Sequence, residues 1–149
     1  MAYDFYVAGR WRNREAVKEA LDLIRRHGRS AYCFIENFYE GGTVEFTMDG
    51  DIETIMQKLE SLPQDHEFVR KVFHTDLQAE KESRTFVLVL PAGISGHIEA
   101  GIAYGMGKKC YAVGTLQKTE TLYAIFDKIF PDVGALGEWL KNEHTYDRT

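Results

Sequence analysis

An α/β fold with one parallel sheet and helices on both of its faces is what this sequence predicts, on three observations. Short apolar runs alternate with segments whose apolar residues recur at helical spacing. The strongest run, Thr85-Phe-Val-Leu-Val-Leu90, is apolar without alternation, as expected for a strand covered on both faces. Glycine or proline marks many of the junctions between runs, at Gly9, Gly28, Pro63 and Gly107.

The elements follow in order. Phe5 to Ala8 forms a first strand ending at Gly9. Asn13 caps a helix whose apolar face carries Val17, Ala20, Leu21 and Ile24, and Gly28 closes it. Ala31 to Ile35 is a second buried strand. After Gly41-Gly42, Thr43 to Met48 reads as an extra strand or a loop. Asp51 caps a helix reaching Leu62, with Ile52, Ile55, Met56 and Leu59 on one face, and Pro63 ends it. A further helix covers His66 to Glu82, with Phe68, Val72, Phe73 and Leu77 turned inward. Beyond the Thr85–Leu90 strand come the loop Pro91 to Gly96, a helix from His97 to Met106 and a strand from Cys110 to Val113. Two terminal helices, Glu120 to Phe130 and Gly134 to Glu143, finish the chain. There is no linker, repeat or low-complexity tract, so residues 1–149 read as a single domain of Rossmann/flavodoxin-like type. Ligands of such sheets bind at the carboxyl ends of the strands. Here that selects the loop after Ala8, the segment after Ile35 and the loop after Leu90.

Bulk properties narrow the function. The 149 residues suit one core, and the formal net charge of −5 offers no general attraction to nucleic acid or anionic membrane. No apolar run is long enough to span a bilayer, and no basic region precedes an apolar stretch at the N-terminus. Cys33 and Cys110 lie inside apolar segments and read as buried, reduced thiols. A cytoplasmic protein is expected, with no metal site of recognisable spacing and no cofactor.

Chemistry concentrates in Leu90-Pro-Ala-Gly-Ile-Ser-Gly-His-Ile-Glu-Ala-Gly101. Gly93 and Gly96 allow a sharp turn and leave room for a ligand. The amides that open the next helix, with the Ser95 hydroxyl beside them, form an anion site; the plainer role for Ser95 is to cap the helix. Glu99 falls in the first helical turn, where the dipole favours its ionised form. It is a nucleophile or base, or simply a favourable first-turn acid. Gly101 and Gly105 are four residues apart and are expected to let the helix press on the sheet.

Tyr6-Val-Ala-Gly9, Asp76, the strand Phe86 to Leu90, and Gly93-x-Ser-Gly-x-x-Glu-x-Gly-x-Ala103 followed by Gly107-Lys-Lys together resemble the nucleoside 2-deoxyribosyltransferase family, which includes nucleoside 5'-monophosphate N-glycosidases. The resemblance covers most of the chain and is weakest from Tyr39 to Pro63. It implies that Glu99 is a nucleophile that attacks the anomeric carbon and forms a glycosyl-enzyme intermediate, resolved by water or a second base. It implies that Asp76 donates a proton to the departing base and that Tyr6 positions the sugar and the nucleophile. A solvated helix carboxylate and a core tyrosine are the plain alternatives. Arg12 meets substrate phosphate or base, or is a surface arginine. His97 flanks the site or merely starts the helix. Glu36, Asn37, Phe38 and Tyr39 suit either closure over the base or a strand end.

Two departures bear on the substrate. Where deoxyribosyltransferases carry an aspartate six residues before the glutamate, this chain has Gly93, and Ser95 only approximates the serine of the monophosphate glycosidases. Ser83-Arg84 replaces the usual Ala-Asp before the core strand. The expected activity is cleavage or exchange of the N-glycosidic bond of a nucleoside or nucleoside 5'-monophosphate. A nicotinamide-nucleotide glycohydrolase and a non-catalytic nucleotide-binding module of the same fold are the alternatives. Homo-oligomers are expected too, because family sites lie near subunit contacts and because Tyr104, Tyr123, Phe126, Phe130 and Trp139 exceed what one small core obviously needs.

Overall fold

Five short parallel strands carry the molecule. In the computed structural model, which describes residues 1–37, 39 and 57–142, they are β1 (Tyr3–Ala8), β2 (Ala31–Cys33), β3 (Ser83–Val89), β4 (Lys109–Val113) and β5 (Lys128–Phe130). Their order across the sheet is β2-β1-β3-β4-β5, all parallel. The chain therefore reverses direction of winding between β1 and β3, and the topological switch point opens between their carboxyl ends. Register places Tyr6 between Tyr32 and Phe86, and Ala8 beside Leu88.

Helices cover both faces. On one, α1 (Arg14–Arg26) inserts Val17, Ala20, Leu21 and Ile24 into a core shared with α4 (Val133–Asn142), which supplies Leu136 and Leu140. On the other, α2 (Glu67–Lys81) and α3 (Ile94–Gly105) pack Ala79, Ala100 and Ala103 against Tyr6, Ala8, Phe86, Leu88, Cys110 and Ala112. Cys33 belongs to the first core and Cys110 to the second; both are reduced, and burial pushes their thiols up to about 12 and about 11. No helix among the described residues is long and apolar enough to cross a membrane.

Several elements differ from the sequence expectation. The second strand stops at Cys33, and Phe34–Glu36 form a 3-10 turn. There the Glu36 carboxylate accepts both Arg25 Nη groups, at 2.7 and 2.6 Å, a fork that pulls the chain off the strand path. Asn13 precedes α1 without capping it; its amide instead points at the carbonyls of Leu90 and Pro91. Phe73 is 52% exposed, and the inward face of α2 carries Phe68, Ala79 and Glu80. Residues 120–130 are not a helix: a 3-10 turn, Thr121–Ile125, leads into edge strand β5. The run had apolar residues at both helical and strand spacing, and pairing with β4 decides between them. The third helix begins at Ile94, three residues before the expected start, so Glu99 is its sixth residue and lies beyond the first turn. Gly101 and Gly105 face open space, and Ala100 and Ala103 make the contact with the sheet. Residues 57–60 are helical; the expectations for Phe38, Thr43–Met48, the Asp51–Met56 helix start and Glu143 fall outside the described residues.

Candidate active site

Two carboxyls lie on the face of the sheet covered by α2 and α3: Asp76 on α2 and Glu99 on α3, close enough for the charge of Asp76 to act on Glu99. Tyr6 is 1% exposed, its ring stacked between Tyr32 (centroids 5.4 Å apart) and Phe86 (5.9 Å). Strand alternation aims it at the α2/α3 face, where its hydroxyl donates to Glu99 Oε2. Burial, then the negative charge of Glu99 and Asp76, drives the Tyr6 hydroxyl far above the ordinary phenol range, so it is a fixed donor. Glu99 is half-buried. Burial pushes its carboxyl up to about 7; the Tyr6 hydrogen bond pulls down and Asp76 pushes up. The first-turn dipole argument for Glu99 thus gives way to desolvation as the dominant influence.

Asp76, in α2, is clasped by tyrosines. Tyr32 donates to its Oδ1 at 2.8 Å, and the Tyr39 hydroxyl lies 2.7 and 2.9 Å from its two oxygens. Burial raises the Asp76 carboxyl above its ordinary value, and the Tyr39 and Tyr32 hydrogen bonds oppose this. Asn37 orders the clasp: its amide nitrogen donates to Tyr32 Oη at 2.8 Å and its Oδ1 accepts the Tyr39 amide at 2.9 Å. Tyr39 has a left-handed backbone, φ 48°, which costs a bulky residue energy and recurs at functional sites. Asn37 and Tyr39 were candidates from sequence; Tyr32 was not, although its place directly across from Tyr6 in a parallel strand puts both rings on one face. Glu36 is taken up by Arg25 instead.

The glycine-rich loop has a split character. A Cβ on Gly9 would lie 2.5 Å from Val17 Cγ2, and one on Gly96 would lie 2.8 Å from Leu88 Cδ1 and 3.9 Å from the Gly9 amide nitrogen. These two glycines let the loop after β1 and the first turn of α3 approach each other. Gly93 is different: a Cβ there would meet open space. Gly93 is the N-cap of α3 and no side chain caps the helix, so Ser95, which is exposed, does not do so. The His97 ring donates from Nδ1 to the Gly93 carbonyl at 2.8 Å, which leaves Nε2 to accept from Tyr123 Oη at 2.8 Å. Both ring nitrogens are thus engaged within the protein. Arg12, at the surface beside the loop after β1, has its Nη1 3.5 Å from Glu60 Oε1.

Tyr6, Asp76 and Glu99 therefore lie near one another at the carboxyl ends of the strands: Tyr6 donates to Glu99, and the charge of Asp76 acts on both. Among the described residues, no group of three or more His, Cys, Asp or Glu side chains is placed to hold a metal ion. The arrangement supplies a carboxylate oriented by a hydroxyl and a second, desolvated carboxyl, which is the equipment for nucleophilic attack and proton transfer.

Comparison with known proteins bears on the fold. No family model and no curated protein matches this sequence. Among solved structures, a 2-deoxyribosyltransferase from Bacillus psychrosaccharolyticus superposes with a TM-score of 0.64 at 19% identity, over 89% of this chain and 89% of the other. The chain thus shares the parallel α/β fold of that enzyme.

Proposed function

We propose that this protein is an enzyme that cleaves or exchanges the N-glycosidic bond of a nucleoside or nucleoside 5'-monophosphate, with Glu99 as nucleophile. The observation that carries the reading is the Tyr6–Glu99 hydrogen bond at the switch point, beside the desolvated Asp76. Tyr6 holds one oxygen of Glu99 and the other is free of hydrogen bonds among the described residues. In the proposed reaction that oxygen bonds to the anomeric carbon as the carbon–nitrogen bond breaks. The bond's electron pair leaves with the base, and Asp76 in its protonated form supplies the proton the base nitrogen takes up. Water or an acceptor base then displaces Glu99 from the glycosyl ester. The likeness to a 2-deoxyribosyltransferase supports this reading at the level of fold.

The uncapped start of α3 and the open space at Gly93 favour a phosphorylated substrate, because free helix amides attract anions. The test is incubation with a panel of nucleosides, their 5'-monophosphates and nicotinamide mononucleotide, with detection of free base, and with an acceptor base added to separate transfer from hydrolysis. Glu99→Gln is expected to abolish turnover, by several orders of magnitude, in a protein that remains folded. Near-normal turnover in folded Glu99→Gln sinks the assignment, and release of no base from any member of the panel leaves a nucleotide-binding module.

The protein is further proposed to act in the cytoplasm as a homo-oligomer. Most of the aromatics first counted toward an interface are in the chain's own core: Phe126 and Phe130 are buried, Trp139 packs on Tyr111, and Tyr123 on His97. What supports association instead is the outer side of α3, where Ile94 is 81% exposed and Ile98 and Tyr104 are more than half exposed.

A further inference from the structure

Glu80 has no part in the reaction described above, yet it is the most deeply buried acid among the described residues. It follows Asp76 by four residues in α2, so the two side chains lie one turn apart on the same face of the helix. It is 1% exposed, and its Oε1 has no hydrogen-bond partner among the described residues. Two nearby donor groups are engaged with backbone carbonyls. The Ser83 hydroxyl donates to the Ala79 carbonyl at 2.7 Å, and the Lys108 ammonium donates to the carbonyls of Lys81 and Ser83. A carboxylate so placed would lose its hydration without compensation, which favours the protonated form. The groups that act on Glu80, or on which it acts, are Asp76 on its own helix, Glu99 on α3, Lys108 after α3, Tyr6 on β1 and Cys110 on β4.

We propose that Glu80 is a positioning residue of the carboxyl site: a third acid, walled in one helical turn from Asp76, that keeps its proton while Glu99 carries the charge. It touches no substrate. Its neutrality spares Glu99, Asp76 and the Tyr6 hydroxyl a third negative neighbour. Its ionisation, a single proton passing from the carboxyl to solvent, supplies that neighbour. Burial first, and Glu99 next, push Glu80 up to about 8, with Lys108 opposing.

The inference rests on the carboxyl site proposed above but not on its substrate, so its first test needs no turnover. Thermal midpoints are measured from mildly acidic to alkaline pH for wild type, Glu80→Gln and Glu80→Met, each with and without Glu99→Gln. A carboxyl raised in the folded state contributes stability that is complete below its ordinary value of 4.5 and is lost as pH climbs through about 8. The wild type is expected to lose stability with rising pH more steeply than either Glu80 variant. The effect of Glu80→Gln at alkaline pH is expected to shrink once Glu99 is neutralised. Should the glutamine variant fail to fold, the methionine variant, apolar and of similar volume, carries the same comparison. Parallel stability curves for wild type and variant, or full additivity with Glu99→Gln, overturn the proposal. With any substrate that is turned over, the alkaline limb of kcat/KM is expected to shift in Glu80→Gln, because the charge Glu80 acquires no longer acts on Glu99 and Asp76. A merely structural role would lower kcat/KM equally at every pH, and that result also overturns it. Coupled stability curves without turnover of any nucleoside retire the glycosidic reading and keep the role of Glu80; turnover with parallel curves does the reverse.

Discussion

Tyr6 holds Glu99 by one oxygen, and that single contact makes the pH behaviour of the site testable. The hydroxyl favours the carboxylate form of Glu99, against burial that pushes the group up to about 7. A nucleophilic carboxylate must be ionised, so kcat/KM is expected to rise with pH through this region. Tyr6→Phe removes the opposing hydrogen bond and should carry the acidic limb to higher pH; an unmoved limb would show that Tyr6 does not tune Glu99. In the proposed role Asp76 makes the opposite demand, since a proton donor must begin protonated. Burial moves it that way while Tyr39 and Tyr32 resist. Asp76→Asn is expected to cost ~10²–10⁴-fold on substrates with poor leaving bases and less on those with good ones. An equal loss across leaving groups, read from kcat/KM, would reduce Asp76 to a sugar-positioning role.

At the scale of elements, α3 shows what was legible in the sequence and what was not. Its existence, its end at Gly107 and its place after the strongest strand all follow from local pattern. Its start does not, because Gly96 looks like loop until the Leu88 side chain beneath it is known. The same ambiguity hid β5, whose three residues become a strand only by pairing with β4. Glu99, Asp76 and Tyr6 could be named as candidates from a resemblance, while the Tyr32 and Tyr39 clasp on Asp76 depends on strands and a loop distant in sequence. Gly96 and Gly101 give a matched stability test. Gly96→Ala overpacks a buried contact and is expected to cost about 1–3 kcal/mol. Gly101→Ala projects into open space on a helix and should stabilise by roughly 0.5–1 kcal/mol. Thermal midpoints that move in the same direction for both would contradict this division of α3 into a packed and a free face.

For the whole molecule, the parallel sheet and its switch point explain why residues from β1, α2 and α3 come together at the carboxyl ends of the strands. The outer side of α3, with Ile94, Ile98 and Tyr104 exposed, belongs to the same helix that bears Glu99. If this side is an interface, association and activity should be linked. Light scattering is expected to report a mass above that of one chain, and Ile94→Glu with Ile98→Glu to lower it. A monomeric mass for the unaltered protein at assay concentration would dispose of the oligomer.

The two buried thiols give the molecule a pair of internal reporters. Cys33 lies in the core on the α1 side of the sheet and Cys110 in the core on the α2/α3 side, each shielded from solvent. An alkylating reagent can reach either one only when its own layer opens. The order in which the two sulfurs become labelled under mild destabilisation therefore distinguishes loosening of the layer that carries the carboxyl site from loosening of the layer behind it. No probe has to be introduced to tell the two apart.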